Sequence, residues 1–291
     1  MEYSNCGYMI GYLKKWADRL LTLAFVFCML IVGWLVLQIT SFTSFRVPTY
    51  SMFPTLAPGD YILVDKWIVG ARIFDVWEAV DGRDVEIYRL PGLREIKRND
   101  VLVFHNPYPI KKDSLSMDML KYYVKRCIAL PGDTVEIRRG SYFINGTRKD
   151  KRWAALRVEP DANLKDEKQW NMALGWSVQQ LGPLPIPKSG QSVAIDTLTA
   201  KMYGNLITWE QKKRLAVKEN GVSLGDSLIT EYTFKENYYF MGGDNLDNSN
   251  DSRYWGLVPE AYIVGVATRI WKSVNPNDGS WNLNRFWKKI E

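Results

Sequence analysis

Twenty consecutive residues without a charge, Leu20 to Ile39 (LLTLAFVFCMLIVGWLVLQI), decide more about this chain than any other stretch. At 1.5 Å per residue, a helix of that length spans about 30 Å, the hydrocarbon thickness of a bilayer. The alternative use of such a run is a helix buried on every side in a soluble core. A cleaved leader would have a shorter apolar region with small residues after it. Here Thr-Ser-Phe-Thr-Ser-Phe-Arg follows, from Thr40 to Arg46. The run therefore reads as an uncleaved anchor. Lys14, Lys15 and Arg19 crowd its N-terminal flank, against Arg46 alone on the other side. The positive-inside rule then puts residues 1–19 in the cytoplasm as a tail and residues 41–291 outside.

The outer part alternates short apolar runs with turn formers. Tyr61 to Asp65 and Val101 to His105 read as strands, the second stopped by Asn106-Pro-Tyr-Pro109. Met119 to Leu130 reads as a long strand ended by Pro131-Gly132-Asp133, and Thr134–Arg138 with Ser141–Asn145 as a hairpin around Arg139-Gly140. Strands restart at Tyr238–Met241 and continue with Ala261–Lys272. Between Thr147 and about Glu231 the texture changes. Charged stretches (Arg148–Arg152, Lys165–Lys168), a Pro-rich link (Gly182–Pro187) and an expected helix near Thr208–Lys218 suggest an insertion. The end, Trp281 to Glu291, mixes Trp281, Phe286 and Trp287 with Arg285, Lys288 and Lys289, which suits either a membrane-interface contact or a solvated tail.

Composition narrows the chemistry. The net charge of +6 suits an anionic bilayer, and the scattered basic residues match no nucleic-acid fold, so no nucleic-acid partner is expected. Three cysteines, Cys6, Cys28 and Cys127, leave one in the outer body, so it forms no internal disulfide and no paired-cysteine zinc site. The single histidine, His105, ends a strand beside a turn and reads as structural. A hydrolase built on this chain needs another base. Ser51 lies between Pro48 and Pro54, rings that fix φ and place it on a stiffened, extended loop. On the strand Met119–Leu130, alternation sets Lys125 on one face with Tyr123, Cys127 and Ala129. An amine among such neighbours is desolvated and its pKa falls; the alternative is a snorkelling lysine on a half-exposed strand.

Four separated motifs, in order after the anchor, resemble those of bacterial type I signal peptidases, the membrane-anchored Ser/Lys endopeptidases. They are Pro48-Thr-Tyr-Ser51-Met-Phe-Pro-Thr-Leu56, Gly59-Asp-Tyr-Ile-Leu-Val64, Lys125-Arg126 with Pro131-Gly132-Asp133, and Gly243-Asp244-Asn245 through Ser249, Asp251, Ser252 and Arg253. They cover roughly residues 15–145 and 235–272. The resemblance implies a mainly β fold: an antiparallel β-sheet catalytic body (40–146 and 232–275), an inserted α+β region (147–231), one transmembrane helix (20–39) and a C-terminal tail (276–291).

It further implies that Ser51 is the nucleophile and neutral Lys125 the base. Thr49 would form the oxyanion hole with the Ser51 backbone N–H, and Ser249 would hydrogen-bond and orient the Lys125 amine. Asp251 and Arg253 would pair to hold the supporting loop, which also contains Asp244 and Asn245. The implied partners are signal peptides of secreted and membrane preproteins, cut after small residues, and the lipid bilayer of the bacterial cytoplasmic membrane. No cofactor and no metal are implied, and nothing speaks to oligomeric state. Two positions depart from the family pattern: Thr49 where serine is common, and Leu246 where arginine usually follows Gly-Asp-Asn. Two other readings stay open, a Ser/Lys protease with a narrower substrate set and a non-catalytic membrane-anchored β scaffold.

Overall fold

The computed structural model describes residues 3–81, 85–107, 115–148 and 173–291. Most of the Arg148–Arg152 stretch, all of Lys165–Lys168, and Tyr108 and Pro109 of the expected turn lie outside them. The apolar run belongs to one helix of 38 residues, α1 (Tyr3–Thr40), which reaches back through the expected tail. Its segment Lys14–Leu37 has the length and composition to cross a membrane, and none of its apolar window is buried in the protein. Leu21 is 74% exposed and Phe25 65%. A helix window apolar on all sides and unburied in the protein is suited to lipid, so the buried-core alternative is removed.

The helix end is tied to the body, since the Lys66 N–H donates to the Ser41 carbonyl at 2.8 Å. β1 (Phe42–Arg46) and β2 (Asp60–Asp65) follow as an antiparallel hairpin, with Phe42 opposite Asp65 and Arg46 opposite Tyr61. The connection between them, residues 47–59, carries Ser51. It is not extended as expected. The Phe53 N–H bonds the Tyr50 carbonyl and the Leu56 N–H bonds the Met52 carbonyl, so the segment coils into turns. Those turns let Met52 and Leu56 plunge together into the core, where each contributes roughly 1.5–3 kcal/mol of burial. At the loop's end Gly59 has φ +91°, and a Cβ there would lie 1.9 Å from the Val274 carbonyl oxygen, so only glycine lets the later chain cross.

Next come β3 (Arg72–Ile73), α2 (Val76–Val80) and β4 (Tyr88–Arg89), with Asp75 capping α2 through the Trp77 and Glu78 N–H groups. β5 (Val101–Asn106) and β6 (Asp118–Ala129) supply the centre of the main sheet. β7 (Thr134–Arg138) and β8 (Ser141–Ile144) form the expected hairpin, extended by β9 (Thr147–Arg148). β10 (Gln180–Pro185) then pairs with β7, and Leu181, Leu184 and Ile186 join the core, so this stretch of the expected insertion is part of the body. Its prolines hid it; they are tolerated because β10 is an edge strand, where missing N–H groups interrupt no ladder.

β11 (Ser192–Ala194) leads into α3 (Thr197–Gln211), followed by β12 (Leu215–Lys218), β13 (Gly221–Leu224), β14 (Ser227–Ile229) and β15 (Glu231–Thr233). The expected helix at 208–218 is thus displaced. An Asp196–Thr199 capping box starts α3 eleven residues earlier, and Lys212, left-handed at φ 54°, ends it. Leu215 and Val217, within the expected helix, lie on a strand.

β16 (Tyr238–Gly242), the short helix α4 (Ser252–Trp255), β17 (Val258–Pro259), β18 (Ile263–Ser273) and β19 (Lys288–Lys289) complete the chain. The main sheet runs β1-β2-β18-β5-β6-β16-β17, antiparallel throughout, with β19 beside β18. Alternation on β5 splits the interior. Val101 and Val103 face a core with Met52, Leu56 and Ile62, whereas Leu102 and Phe104 face the larger core that includes Phe240 and Tyr238. The C-terminal stretch is neither a solvated tail nor separate: β19 pairs with β18, and Ile290 packs on the Met52–Leu56 core.

Candidate active site

Two elements meet at the site. The β1–β2 connection brings Ser51, and the buried half of β6, from Lys125 to Ala129, brings the amine. Lys125 is 3% exposed, and its Nζ donates to Ser51 Oγ at 2.7 Å and to the Val124 carbonyl at 3.2 Å. The alternation reading was right about the neighbours: Lys125 is buried and does not snorkel. Burial lowers its pKa to about 8, against the opposing pull of Asp251 and Asp244 and with some help from Arg253. About half of the amine is therefore neutral near pH 8.

Ser51 opens onto a cleft of about 230 Å³ whose apolar walls include Phe45, Val47, Met52, Tyr122 and Val124. Thr49 Oγ1 donates to Ser51 Oγ at 3.3 Å, so the hydroxyl carried by this departure from the family pattern points at the Ser51 oxygen. Asn245 fixes the peptide from the other side. Its N–H donates to the Ser51 carbonyl at 3.1 Å and its Nδ2 to the Tyr50 carbonyl at 3.2 Å.

The loop after β16 supplies that asparagine and is held by two buried ion pairs. Asp251 accepts Arg253 Nε at 2.8 Å and the Gly243 N–H at 3.0 Å. Burial pushes the Asp251 carboxyl up, but the Arg253 charge and these hydrogen bonds outweigh it and hold the pKa below the usual range. Asp244 takes both arms of Arg126, at 2.7 and 2.6 Å, and also accepts the Thr55 hydroxyl. Arg126 further donates to the Asn99 carbonyl at 2.8 Å. Sequence reading quoted Arg126 only as a neighbour of Lys125 and passed over Thr55. The one available signal was alternation, which turns Arg126 away from Lys125 and toward a buried place needing an acid.

Ser249 departs from the expectation. Lys125 Nζ hydrogen-bonds Ser51 and Val124, with no bond to Ser249, and the Ser249 hydroxyl is turned instead toward the Asp251 carboxylate, whose pKa it helps to lower. It is nonetheless pressed against the Ser51 loop. A Cβ on Gly243 would fall 2.1 Å from Ser249 Oγ and 2.5 Å from the Ser51 carbonyl oxygen, so glycine is what allows the three to pack. Leu246 packs against the larger core, and its carbonyl accepts Arg253 at 2.7 Å. His105 is structural, as expected: it is buried, bonded to Arg72 at 2.9 Å and to the Asp118 carbonyl at 3.1 Å, and burial with the nearby Arg72 charge drops its pKa to about 3.

Residues 17–272 match the family described as "Signal peptidase, peptidase S26". Among curated proteins, "Signal peptidase I" of Pseudomonas aeruginosa is 30% identical over 270 residues, covering 88% of this chain and 74% of that protein. "Signal peptidase I" of Buchnera aphidicola subsp. Schizaphis graminum is 28% identical over 260 residues, covering 84% and 73%. A solved signal peptidase I from Enterococcus faecalis V583 is 22% identical, covers 60% of this chain and 97% of its own, and gives a TM-score of 0.30.

Proposed function

The chain belongs to the signal peptidase family, peptidase S26, and from that premise we propose that it is the membrane-anchored endopeptidase that removes signal peptides from translocated preproteins, with Ser51 as nucleophile and Lys125 as base. A family of serine endopeptidases leaves no room for the non-catalytic scaffold. The observation that carries the residue assignment is the 2.7 Å contact between Lys125 Nζ and Ser51 Oγ, buried at the edge of an apolar cleft.

The chemistry runs as follows. Neutral Lys125 takes the hydroxyl proton as Ser51 Oγ attacks the scissile carbonyl carbon. The carbonyl oxygen gains the negative charge, which Thr49 Oγ1 and the Ser51 N–H stabilise. On collapse, the protonated amine gives its proton to the leaving nitrogen, releasing the mature protein and leaving the signal peptide esterified to Ser51. Lys125 then takes a proton from water as that water attacks the ester, and returns it to Ser51 Oγ. Desolvation makes the amine a base at working pH, and the two buried carboxylates nearby limit how far its pKa falls. The small cleft walled by Phe45, Val47, Met52 and Val124 suits small side chains before the cut bond.

The anchor keeps this site close to the bilayer, where translocated preproteins present their leaders. We place the N-terminus in the cytoplasm and Ser51 on the outer side of the bacterial cytoplasmic membrane, on the flanking charges. Protease added to intact spheroplasts is expected to digest the body; digestion only after lysis overturns this orientation.

Incubation of the purified full chain with a panel of preproteins, with mapping of the new N-termini, tests the activity. Cleavage at the leader junction after small residues is expected, and no cleavage of any member by a folded protein contradicts the reading. In the same assay Thr49→Val keeps the branched shape and removes the hydroxyl. It is expected to lower kcat by about 10²–10³ with KM nearly unchanged. A loss below about threefold would mean that other groups build the oxyanion hole.

A further inference from the structure

The matched family segment ends at residue 272, yet the chain beyond it returns to the back of the nucleophile loop. Arg285 Nε and one terminal nitrogen grip the Asp60 carboxylate at 2.9 and 2.6 Å, and the same nitrogen donates to the Thr55 carbonyl at 2.9 Å. Asp60 is fully buried and also accepts the Ala57 N–H at 2.8 Å. The turn after Ser51 is thus pinned at Thr55, Ala57 and Asp60. Thr55 is a node, because its hydroxyl donates to Asp244 and accepts Arg126 at 3.2 Å while its carbonyl is held by Arg285. Next along the chain from Asp244, Asn245 holds the Ser51 carbonyl. Pairing of β19 with β18 and packing of Ile290 on the Met52–Leu56 core fix the segment that carries the arginine.

We propose that Arg285 is a positioning residue for catalysis: it braces the nucleophile loop from behind and keeps Ser51 Oγ within reach of Lys125. This rests on Ser51 being the nucleophile. Arg285 touches neither the serine nor the lysine, so it acts on geometry and not on the titration of the base. Its planar fork serves an acid and a carbonyl at once, a task for which the point charge of lysine is a poor substitute.

The test uses the full chain in detergent and a preprotein substrate, with kcat, KM, the pH profile and the melting temperature measured for Arg285→Ala and Arg285→Lys. Arg285→Ala is expected to lower kcat by about 10–100-fold with KM within about twofold, since small displacements of reacting groups have effects of that size. The acid-side midpoint of its pH profile stays where it is in the parent. Arg285→Lys is expected to recover only part of the loss.

A folded Arg285→Ala with kcat within about threefold of the parent overturns the proposal. So does a shifted midpoint, or a loss of activity that equals the loss of folded protein. If the alanine variant does not fold, a folded Arg285→Lys with parental kcat overturns it equally. Ser51→Ala run in parallel separates the two levels. An active Ser51→Ala removes the underlying reading; an inactive one beside a normal Arg285→Ala removes only the brace.

Discussion

Lys125→Met and Lys125→Arg are each expected to lose signal-peptide cleavage by at least about 10³-fold, because neither side chain accepts a proton from Ser51 near neutral pH. Methionine fills the space of the lysine stem without an amine. Arginine keeps the length and charge, but guanidinium holds its proton above pH ~12. The stability readout separates a base from a structural cation. Lys125 has a pKa of about 8 in the fold against an ordinary 10.5, so between those values the unfolded chain binds more protons and stability rises with pH. Below about pH 8 the buried charge is disfavoured by on the order of 3 kcal/mol. Methionine removes that penalty, and the melting temperature of Lys125→Met at pH 7 is expected to be no lower than the parent's. Near-parental turnover by a folded Lys125→Arg would eliminate the dyad, and an unfolded Lys125→Met would mark the lysine as a structural ion.

The second large effect falls on stability. Asp244→Asn leaves Arg126, 1% exposed, without the carboxylate that now binds it through two hydrogen bonds. Breaking a buried pair by removing one partner costs about 3–5 kcal/mol. For a body of this size that is a fall of on the order of 10 °C in melting temperature. The same change removes one of the two carboxylates that favour the charged Lys125 amine. What activity survives is therefore expected to rise with pH at a lower midpoint than in the parent. Thermal melting of the purified protein, together with its pH profile, checks both. A melting shift of less than about 2 °C, or a midpoint displaced upward, contradicts this account of the pair.

The parts of the site that the sequence displayed are those whose reasons are local. Ser51 is marked by its flanking prolines, Lys125 by a period-two pattern that puts an amine among apolar residues, and the supporting loop by a run of turn formers. The long strands were legible for the same reason. What stayed hidden depends on contacts between distant positions. Arg126 finds Asp244 across 118 residues and Arg285 finds Asp60 across 225, and nothing local in either partner announces the other. β10 was concealed by prolines that only an edge position permits. α3 was misplaced because the expected helix ran past Lys212 into residues that belong to a strand, while the Asp196–Thr199 box that starts the helix went unused. Ser249 shows the reverse case: a role carried over from family resemblance meets a geometry in which Lys125 bonds elsewhere.

The central claim is that a buried, neutral Lys125 activates Ser51, and the pH dependence of kcat/KM on a preprotein tests it most directly, since it reports the free enzyme's essential base. The account predicts no activity from the protonated amine, then a rise governed by one group with a midpoint near the lysine's pKa of about 8. A profile that is flat between about pH 6 and 9, in an enzyme that melts normally across that range, contradicts it.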